Sequence, residues 1–419
     1  MHKFKKPEIM APAGDRLSLM AALQAGADAI YFGTGTFNMR ANANNFSLRQ
    51  LPDVVKIAHE YGAKAYLTLN SLMLPSDIRK LSKTVDAVAK IGLDAIIAWD
   101  FAVIEAARRS GINIFISTQM SVANAPAMLF FYRQLGIRRF VLARECSLSD
   151  IRAIRRSLRS ELGEKAEEIE LEVFVHGAMC LSVSGRCQLS QFHFGTSANR
   201  GACRQPCRRE IAVTETHEGH SFQLGTNYIL SPKDLCTLPF LERLLESGVA
   251  SLKIEGRQRS PEYVSVVTTA YRKVVDLWYE RRHTLDFQKQ FALLKEEQMS
   301  RLHEVFHRGF SSGFYLGRPI DEWSKGNGSQ ATHRKKHLGE VVKYYKRSGV
   351  AEIRLDAGAL TVGDEIMIHG PSSGTPCARI SSIEIEHRRM EKAEKGMTVG
   401  VAFPHQVRCH DKVYRMDPC

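Results

Sequence analysis

The chain has 419 residues, of which 44% are hydrophobic and 25% are charged. These fractions are ordinary for a globular protein and exclude disordered, collagenous and fibrous classes. Lysine and arginine number 58 against 45 aspartate and glutamate residues, which gives a formal net charge of +13. Cationic surfaces attract phosphate chains over long range. The charge therefore favours a polyanionic partner, although a generic basic protein would carry it equally well.

Short apolar runs alternate with amphipathic helical stretches through the first 280 residues. Eight runs have the length and composition of parallel strands buried on both faces. They are residues 8–13, 29–33, 65–70, 95–100, 112–119, 139–146, 171–180 and 251–256. Several helical stretches end in glycine, which is typical of a helix C-terminus that turns into a strand. The pattern predicts an α/β fold, a TIM-like (β/α)8 barrel, with a doubly wound open sheet as the alternative.

The C-terminal part has a different periodicity. Helices are predicted at residues 261–281 and at about 286–306, which gives a barrel domain over residues 1–320 and a linker over 321–336. Residues 337–419 alternate apolar and polar side chains with period two. Six short strands, at 339–344, 350–355, 365–369, 379–386, 398–402 and 411–414, predict a small all-β barrel domain. This domain suits RNA binding and a purely structural role equally well.

Five of the nine cysteines fall between residues 180 and 236. This lobe has no strong helical period and follows the seventh predicted strand, so it belongs at the C-terminal face, where such barrels carry their active sites. Neither a signal peptide nor a membrane span is expected from the apolar runs. The expected location is the reducing cytoplasm, where clustered cysteines bind metal more often than they form disulfides.

The cysteine spacing alone does not identify the ligand. Cys180, Cys187, Cys203, Cys207 and Cys236 follow neither zinc-finger nor bacterial ferredoxin spacing, so zinc, an iron–sulfur cluster and unligated thiols all stay open. Arginines accompany the cysteines throughout the lobe, and guanidinium groups stabilise thiolates and the negative charge of a cluster. The charge therefore favours the cluster.

The phrase from Phe174 to Cys180, with Cys187 six residues further on, resembles the signature of the peptidase U32 family. Residues 7–15, 26–33 and 252–257 are also similar to that family, and the resemblance covers roughly residues 5–280. It implies oxygen-independent hydroxylation at a [4Fe-4S] cluster. Substrates in the family include tRNA wobble uridine, a ribosomal RNA cytidine and ubiquinone precursors, with prephenate as hydroxyl donor for the RNA-modifying members.

The resemblance also implies a ligand set, namely Cys180, Cys187, Cys203 and Cys236. Cys207 lies four residues after Cys203 and could reach the same iron, so an exchange of these two stays open. The length and the single β-domain are most similar to the members that hydroxylate tRNA wobble uridine, whereas the ubiquinone branch lacks the β-domain. We therefore expect tRNA and prephenate as partners.

Three alternatives remain beside tRNA hydroxylation. The family name implies a collagenase-like peptidase, but the sequence has neither a Gly-x-Ser-x-Gly elbow nor a His-Glu-x-x-His helix. Cys180 and His176 are four residues apart on a strand, about 13 Å from each other, which is too far for a nucleophile and its base. Hydroxylation of another RNA base and a zinc-stabilised RNA-binding protein are the other two.

Candidate side chains for the reaction lie near the predicted strand ends. Glu172, His176 and Glu255 are candidates for acid–base work, although Glu255 could equally form an ion pair with Lys253 or Arg257, and His176 could equally be a core histidine. Asn70 and Gln119 end strands and could hydrogen-bond a base that is flipped out of its stack.

A dianionic donor requires two cationic anchors. Arg186 and Arg257 are the predicted pair, with Arg200 or Arg204 as alternates. Binding of tRNA requires a wider basic track, which the β-domain side supplies. Its predicted members are Arg334, Lys335, Lys336, Lys346 and Arg347.

Overall fold

The computed structural model describes residues 5–211, 228–326, 328–386 and 388–419. The first part of the chain contains strands β1 Glu8–Pro12, β2 Ala29–Gly33, β3 Lys64–Thr68, β4 Ala95–Ala98, β5 Ile114–Ile116, β6 Arg139–Val141, β7 Glu170–Gly177, β8 Asp234–Cys236, β9 Ser251–Ile254 and β10 Phe310–Ser311. Its helices are α1 Arg16–Gln24, α2 Leu51–Glu60, α3 Ile78–Val88, α4 Phe101–Arg109, α5 Ala125–Leu135, α6 Leu148–Leu162, α7 Leu189–Phe194, α8 Leu241–Leu245, α9 Pro261–Arg281 and α10 Phe287–Glu304.

Strands β1 to β7 and β9 form a closed parallel barrel. Each pairs with the next along the chain, and β9 pairs with both β1 and β7. The eight strands predicted from the sequence are these eight, so the TIM-like barrel is confirmed and the open sheet is wrong. β8 is extra: it pairs antiparallel with the end of β7 and parallel with β10, at the rim.

Local chemistry accounts for the helix boundaries. The Asp15 side chain accepts a hydrogen bond of 2.8 Å from the backbone N–H of Ser18 and so caps α1. Gly62 follows α2 with a φ of 73°, a conformation in which a Cβ is disfavoured. Such turns reverse the chain into the next strand, as the sequence predicts.

Large side chains fill the barrel beneath its C-terminal face. Met10, Tyr31, Tyr66 and Ile97 point into the interior and are buried, and burial of each such side chain stabilises the fold by about 1.5–3 kcal/mol. The space left for a ligand therefore lies above this layer, at the carboxyl ends of the strands. No helix in the described ranges combines the length and apolar character that a membrane crossing requires.

The C-terminal domain is antiparallel. Its strands are β11 His333–Tyr345, β12 Val350–Leu355, β13 Leu360–Thr361, β14 Glu365–His369, β15 Cys377–Arg379, β16 Ile383–Ile385, β17 Arg388–Met390, β18 Lys392–Ala393, β19 Thr398–Ala402 and β20 Lys412–Pro418. Eight form one sheet in the order β15-β14-β20-β11-β12-β19-β16-β17, and β13 pairs with β18. The all-β domain is confirmed, but the sheet is a half-barrel with more strands than the predicted six.

The β-domain begins earlier than the sequence indicates. β11 starts at His333, so residues 333–336 belong to a strand and not to the predicted linker. Ion pairs join this domain to the barrel's last helices, among them Lys335 to Glu262 of α9 at 3.0 Å, and Arg301 of α10 to Glu365 at 3.8 Å.

Candidate active site

Two adjoining cavities lie at the C-terminal face of the barrel. The inner cavity, of about 60 Å³, lies between the strand ends, with Asn70 and Arg257 in its wall. The outer cavity, of about 310 Å³, lies under the cysteine lobe. Arg40, Gln119, Arg144 and Glu255, together with Met39, line both cavities. These residues therefore form the junction through which a ligand under the lobe meets the barrel interior.

Four cysteines line the outer cavity, namely Cys180, Cys187, Cys203 and Cys207. Cys180 follows β7, and the other three lie on the turns around α7. Burial raises the pKa of Cys207; Arg208 opposes this rise, and the thiols of Cys180, Cys203 and Cys187 add to it. The four sulfur atoms are thus close enough to influence one another electrostatically.

Cys236 does not join this group. It ends β8, is only 3% exposed, and its thiol donates to the Met299 sulfur at 3.8 Å. Burial raises its pKa to about 12, so it is a neutral thiol at physiological pH. The reason is the antiparallel pairing of Cys236 with His176, which turns its side chain into the core beside α9 and α10. Of the ligand set that the resemblance implies, the structure brings together three members, and Cys207 stands beside them in place of Cys236.

The cysteine group has the number of thiols that a cubane cluster requires, one for each iron. Within the described ranges, no three His, Cys, Asp or Glu side chains converge closely enough to hold one metal ion. Arg40 and Arg208 lie near these thiols, and their charge complements the net negative charge of a four-thiolate cluster. Cys180, Cys187, Cys203 and Cys207 could therefore hold a [4Fe-4S] cluster.

Glu255 lies at the junction, directly after β9. Its carboxylate accepts a hydrogen bond of 2.8 Å from Arg40. The ion-pair partner is therefore Arg40, and not Lys253 or Arg257, the two partners that the sequence suggested. Burial alone would raise the pKa of Glu255, but Arg40 and Arg144 more than offset this and the pKa is lowered. Glu255 is the one carboxylate that the described residues place in the wall of either cavity.

Glu172, a predicted acid–base residue, lines neither cavity. It is the third residue of β7 and has the same side-chain direction as Phe174, which lines the inner cavity. Two residues along a strand span about 6.6 Å, so Glu172 lies one layer deeper. There it is fully buried and accepts a hydrogen bond of 2.8 Å from Lys253, with Arg139 at 3.8 Å.

His176 is a core histidine, the alternative that the sequence left open beside a catalytic role. The pairing of β7 with β9 is irregular between Phe174 and His176, and His176 packs against Tyr263, Tyr271 and Phe310 instead of facing the cavity. Burial lowers its pKa to about 3, with help from His307 and Arg259. It is therefore neutral throughout the physiological range.

Arg257 is the one predicted anchor that lies in a cavity wall. It is 5% exposed, and it donates to Asn38 at 2.9 Å, to Thr68 at 3.1 Å and to Asn45. Its Nε is buried without a partner, and burial lowers its pKa to about 10. Gly33 permits this position, because a Cβ there would lie 2.7 Å from the guanidinium.

The other three predicted anchors lie outside both cavities. Arg200 forms an ion pair of 2.6 Å with Asp77. Arg186 is exposed and donates to the Ser121 hydroxyl at 3.2 Å, and Arg204 is exposed. None of these three arginines lines the inner or the outer cavity. They are surface cations of the lobe.

At the junction of the two cavities, the structure adds two arginines that the sequence did not indicate, Arg40 and Arg144. Arg40 belongs to the asparagine-rich stretch after β2. Arg144 follows β6, and its guanidinium lies 4.3 Å from the Phe174 ring centroid with Nε unpartnered. Asn70 lines the inner cavity, and Gln119 lines both, as their positions at strand ends indicate.

The predicted RNA-contacting cations divide into two groups. Arg334, Lys336, Lys346 and Arg347 are exposed on the β-domain. Lys335 is instead engaged by Glu262 at 3.0 Å, and its ammonium lies 5.2 Å from the Tyr414 ring centroid. Lys335 thus joins the two domains.

Fold and cysteine group together define a TIM-barrel protein with a thiol-lined cavity at its mouth. The profile of peptidase family U32 matches residues 14–325, and the chain belongs to this family. It is 39% identical to a collagenase of Porphyromonas gingivalis over 417 residues, 98% of each chain. It is 33% identical to a tRNA hydroxylation protein of Bacillus subtilis over 374 residues, 88% of this chain and 84% of the other. A 23S rRNA 5-hydroxycytidine synthase of Escherichia coli is 32% identical over 314 residues, 75% of this chain and 46% of that one.

Proposed function

We propose that this chain hydroxylates the wobble uridine of tRNA, with prephenate as hydroxyl donor, at a [4Fe-4S] cluster bound by Cys180, Cys187, Cys203 and Cys207. The observation that carries the proposal is the placement of these four thiols around one cavity that opens into the barrel mouth. Relatives named for hydroxylation of tRNA and of 23S rRNA support RNA as the substrate.

The cluster, when bound, supplies redox-active iron next to the junction. The protein's part is electrostatic and steric. Arg40 and Arg208 face the thiols with positive charge, which favours their deprotonated form. The lobe covers the cavity and limits the access of water to it.

The uridine base has to leave its stack to reach the junction. Asn70 and Gln119 present amide groups in the wall of the inner cavity, and such groups can both donate to and accept from the edge of a pyrimidine. Glu255 stands beside them as an ionised carboxylate at neutral pH. In this proposal, Glu255 accepts a proton from the uridine during the reaction.

Arg144 and Arg257 are the two anchors that fit the carboxylates of the donor. Both line the inner cavity, and both have a buried Nε without a hydrogen-bond partner. Within the described ranges, neither guanidinium forms an ion pair with a carboxylate of the protein. Arg144 thus replaces Arg186, the anchor expected from the sequence.

Exposed side chains next to the cavity provide a surface for single-stranded RNA. Phe192 of α7 is 82% exposed, and Arg209 lies 4.9 Å from the ring centroid of Phe194. Aromatic rings with nearby arginines stack on unpaired bases. The exposed cations of the β-domain extend the positive surface towards the rest of the tRNA.

Proteolysis is the second candidate, favoured by relatives that are named collagenase. A cysteine peptidase requires a histidine beside its thiol. No histidine of the described residues lines either cavity, and His176 is buried in the core. The site therefore supports RNA hydroxylation better.

The test combines metal content with the fate of tRNA. Protein purified without oxygen should contain four irons and four sulfides, and Cys180→Ala should lose them. Nucleoside analysis of tRNA from a deletion strain should show loss of 5-hydroxyuridine, restored by the wild type but not by Cys180→Ala. Cys377→Ala, an exposed thiol of the β-domain, is the matched control and should restore it. A colourless protein that cleaves gelatin, with tRNA nucleosides unchanged by the deletion, would establish the peptidase instead.

A further inference from the structure

Two arginines in the wall of the outer cavity share one carboxylate that is buried behind them. Arg259 lies 3.4 Å from one oxygen of Asp234, and Arg308 lies 3.4 Å from the other. Asp234, the first residue of β8, is 1% exposed. The two guanidinium groups lie against the ring of Phe306, at 3.7 and 5.0 Å from its centroid. Both contacts with the carboxylate are longer than a strong charge-assisted hydrogen bond.

Arg308 has an N–H donor that makes no hydrogen bond to the described residues. It is 8% exposed, and its Nε is buried with no hydrogen-bond partner among the described residues. Arg208, the third cation near Asp234, is different, because it donates to the carbonyls of Met179 and Pro232 and to the Ser231 hydroxyl. Arg208 therefore holds the lobe together, whereas Arg259 and Arg308 remain available to a ligand.

We propose that Arg259 and Arg308 form an oxyanion-binding site in the wall of the outer cavity. Two guanidinium groups against one carboxylate leave an excess positive charge in a poorly hydrated place, which is costly without a counter-ion. Burial lowers the pKa of Arg308 even though Asp234 opposes the shift. The planar fork of a guanidinium matches the oxygens of phosphate and carboxylate groups.

Two sources could supply this oxyanion, and both rest on the proposed function. One is a phosphate of the RNA strand whose base enters the cavity. The other is a carboxylate of the hydroxyl donor, bound here instead of at Arg144 or Arg257. The site itself does not depend on either source, so its existence can be tested with inorganic phosphate alone.

The first experiment measures the melting temperature of the anaerobically purified protein with and without inorganic phosphate. Phosphate should raise it in the wild type and in Arg243→Gln, a control that removes an exposed arginine of α8. The rise should be absent in Arg259→Gln and Arg308→Gln. Asp234→Asn removes the competing carboxylate, so its response to phosphate should exceed that of the wild type. Equal responses in all variants would overturn the proposal.

The second experiment identifies the source. If the oxyanion is an RNA phosphate, Arg308→Gln should weaken binding of an anticodon stem-loop about tenfold and lower the salt dependence of its affinity by about one unit of slope. If it is the donor, the KM for the donor should rise with RNA affinity unchanged. A phosphate response without either effect would keep the site but separate it from the proposed reaction.

Discussion

Glu255 and Arg40 form an ion pair of 2.8 Å at the place where the two cavities meet. Glu255 follows β9, the strand that closes the barrel, and Arg40 comes from the loop after β2. The thiols of Cys203 and Cys180 interact electrostatically with Arg40 and help to raise its pKa. Arg40 therefore links the cysteine group to Glu255, the one carboxylate that the described residues place in the cavity walls.

The first prediction concerns this carboxylate. Glu255→Gln keeps the size of the side chain but cannot accept a proton, and we expect tRNA hydroxylation to fall about 10²-fold or more. Iron content should stay at the wild-type level, because Glu255 is not one of the proposed cluster ligands. Measurement of 5-hydroxyuridine formed per enzyme under single-turnover conditions checks this. Normal activity would remove Glu255 from the mechanism.

The same variant has a predicted effect on stability as a function of pH. The pKa of Glu255 is lowered in the folded protein, so its ion pair stabilises the fold above the unfolded-state value of about 4.3. This contribution, about 1 kcal/mol for a partly exposed pair, is lost as the pH falls through the folded pKa. Urea unfolding should show the wild type more stable than Glu255→Gln at pH 7, with the difference shrinking below pH 4.

The second prediction separates Cys207 from Cys236. Cys207→Ala removes a thiol of the outer cavity and should abolish a stable four-iron content, with the brown colour bleaching during purification. Cys236→Ala removes a buried thiol packed on Met299, so it should retain iron and lose about 1 kcal/mol of stability. Iron and sulfide analysis of both variants decides the matter. The reverse pattern would assign the ligand role to Cys236, as the family resemblance implies.

Sequence periodicity predicted the parts of this fold that depend on neighbours in the chain. The eight barrel strands follow from apolar runs, and α9 has the bounds predicted for it, with Pro261 at the first helical position. The strand ends in turn placed Asn70 and Glu255 at the mouth. Such features are local, and the barrel closes only when all eight units are present.

The features that the sequence missed depend on contacts between distant segments. Arg40 reaches the site because a loop folds back onto β9, and no local pattern encodes that path. The depth at which Glu172 lies in the barrel depends on the register of β7. The direction of the His176 side chain depends on the irregular pairing of β7 with β9. Likewise Lys335 looked like any other basic residue of its run, since its partner Glu262 is 73 positions away.

The third prediction concerns the donor anchors. Arg257→Lys and Arg144→Lys keep a positive charge but lose the planar fork, so we expect the KM for prephenate to rise tenfold or more with little change in RNA affinity. Arg186→Lys is the matched control, because Arg186 is exposed and outside both cavities. Steady-state kinetics with varied prephenate provide the measurement. If Arg186→Lys alone raised the KM, the pair chosen from the sequence would be restored.

The fourth prediction concerns stacking at the rim. Phe192 is largely exposed, so Phe192→Ala should leave the melting temperature unchanged. Loss of one stacked base costs about 1–3 kcal/mol, so affinity for an anticodon stem-loop should fall at least about fivefold. Phe130→Ala, which removes a ring of α5 that is 57% exposed, should bind RNA like the wild type. Equal binding by both variants would show that the bases do not stack on α7.

The last prediction distinguishes two neighbouring lysines of β11. Lys336 is exposed, whereas Lys335 is held by Glu262 of α9. Lys336→Glu should therefore weaken tRNA binding and flatten its dependence on salt concentration, with the folded protein otherwise unchanged. Lys335→Glu places two carboxylates together across the domain contact, so its main effect should be a lower melting temperature. Salt-titrated tRNA binding and thermal unfolding of both variants separate the two roles. If Lys335→Glu weakened binding as much as Lys336→Glu without loss of stability, then Lys335 would be a contact to the RNA and the ion pair with Glu262 would not hold the domains together.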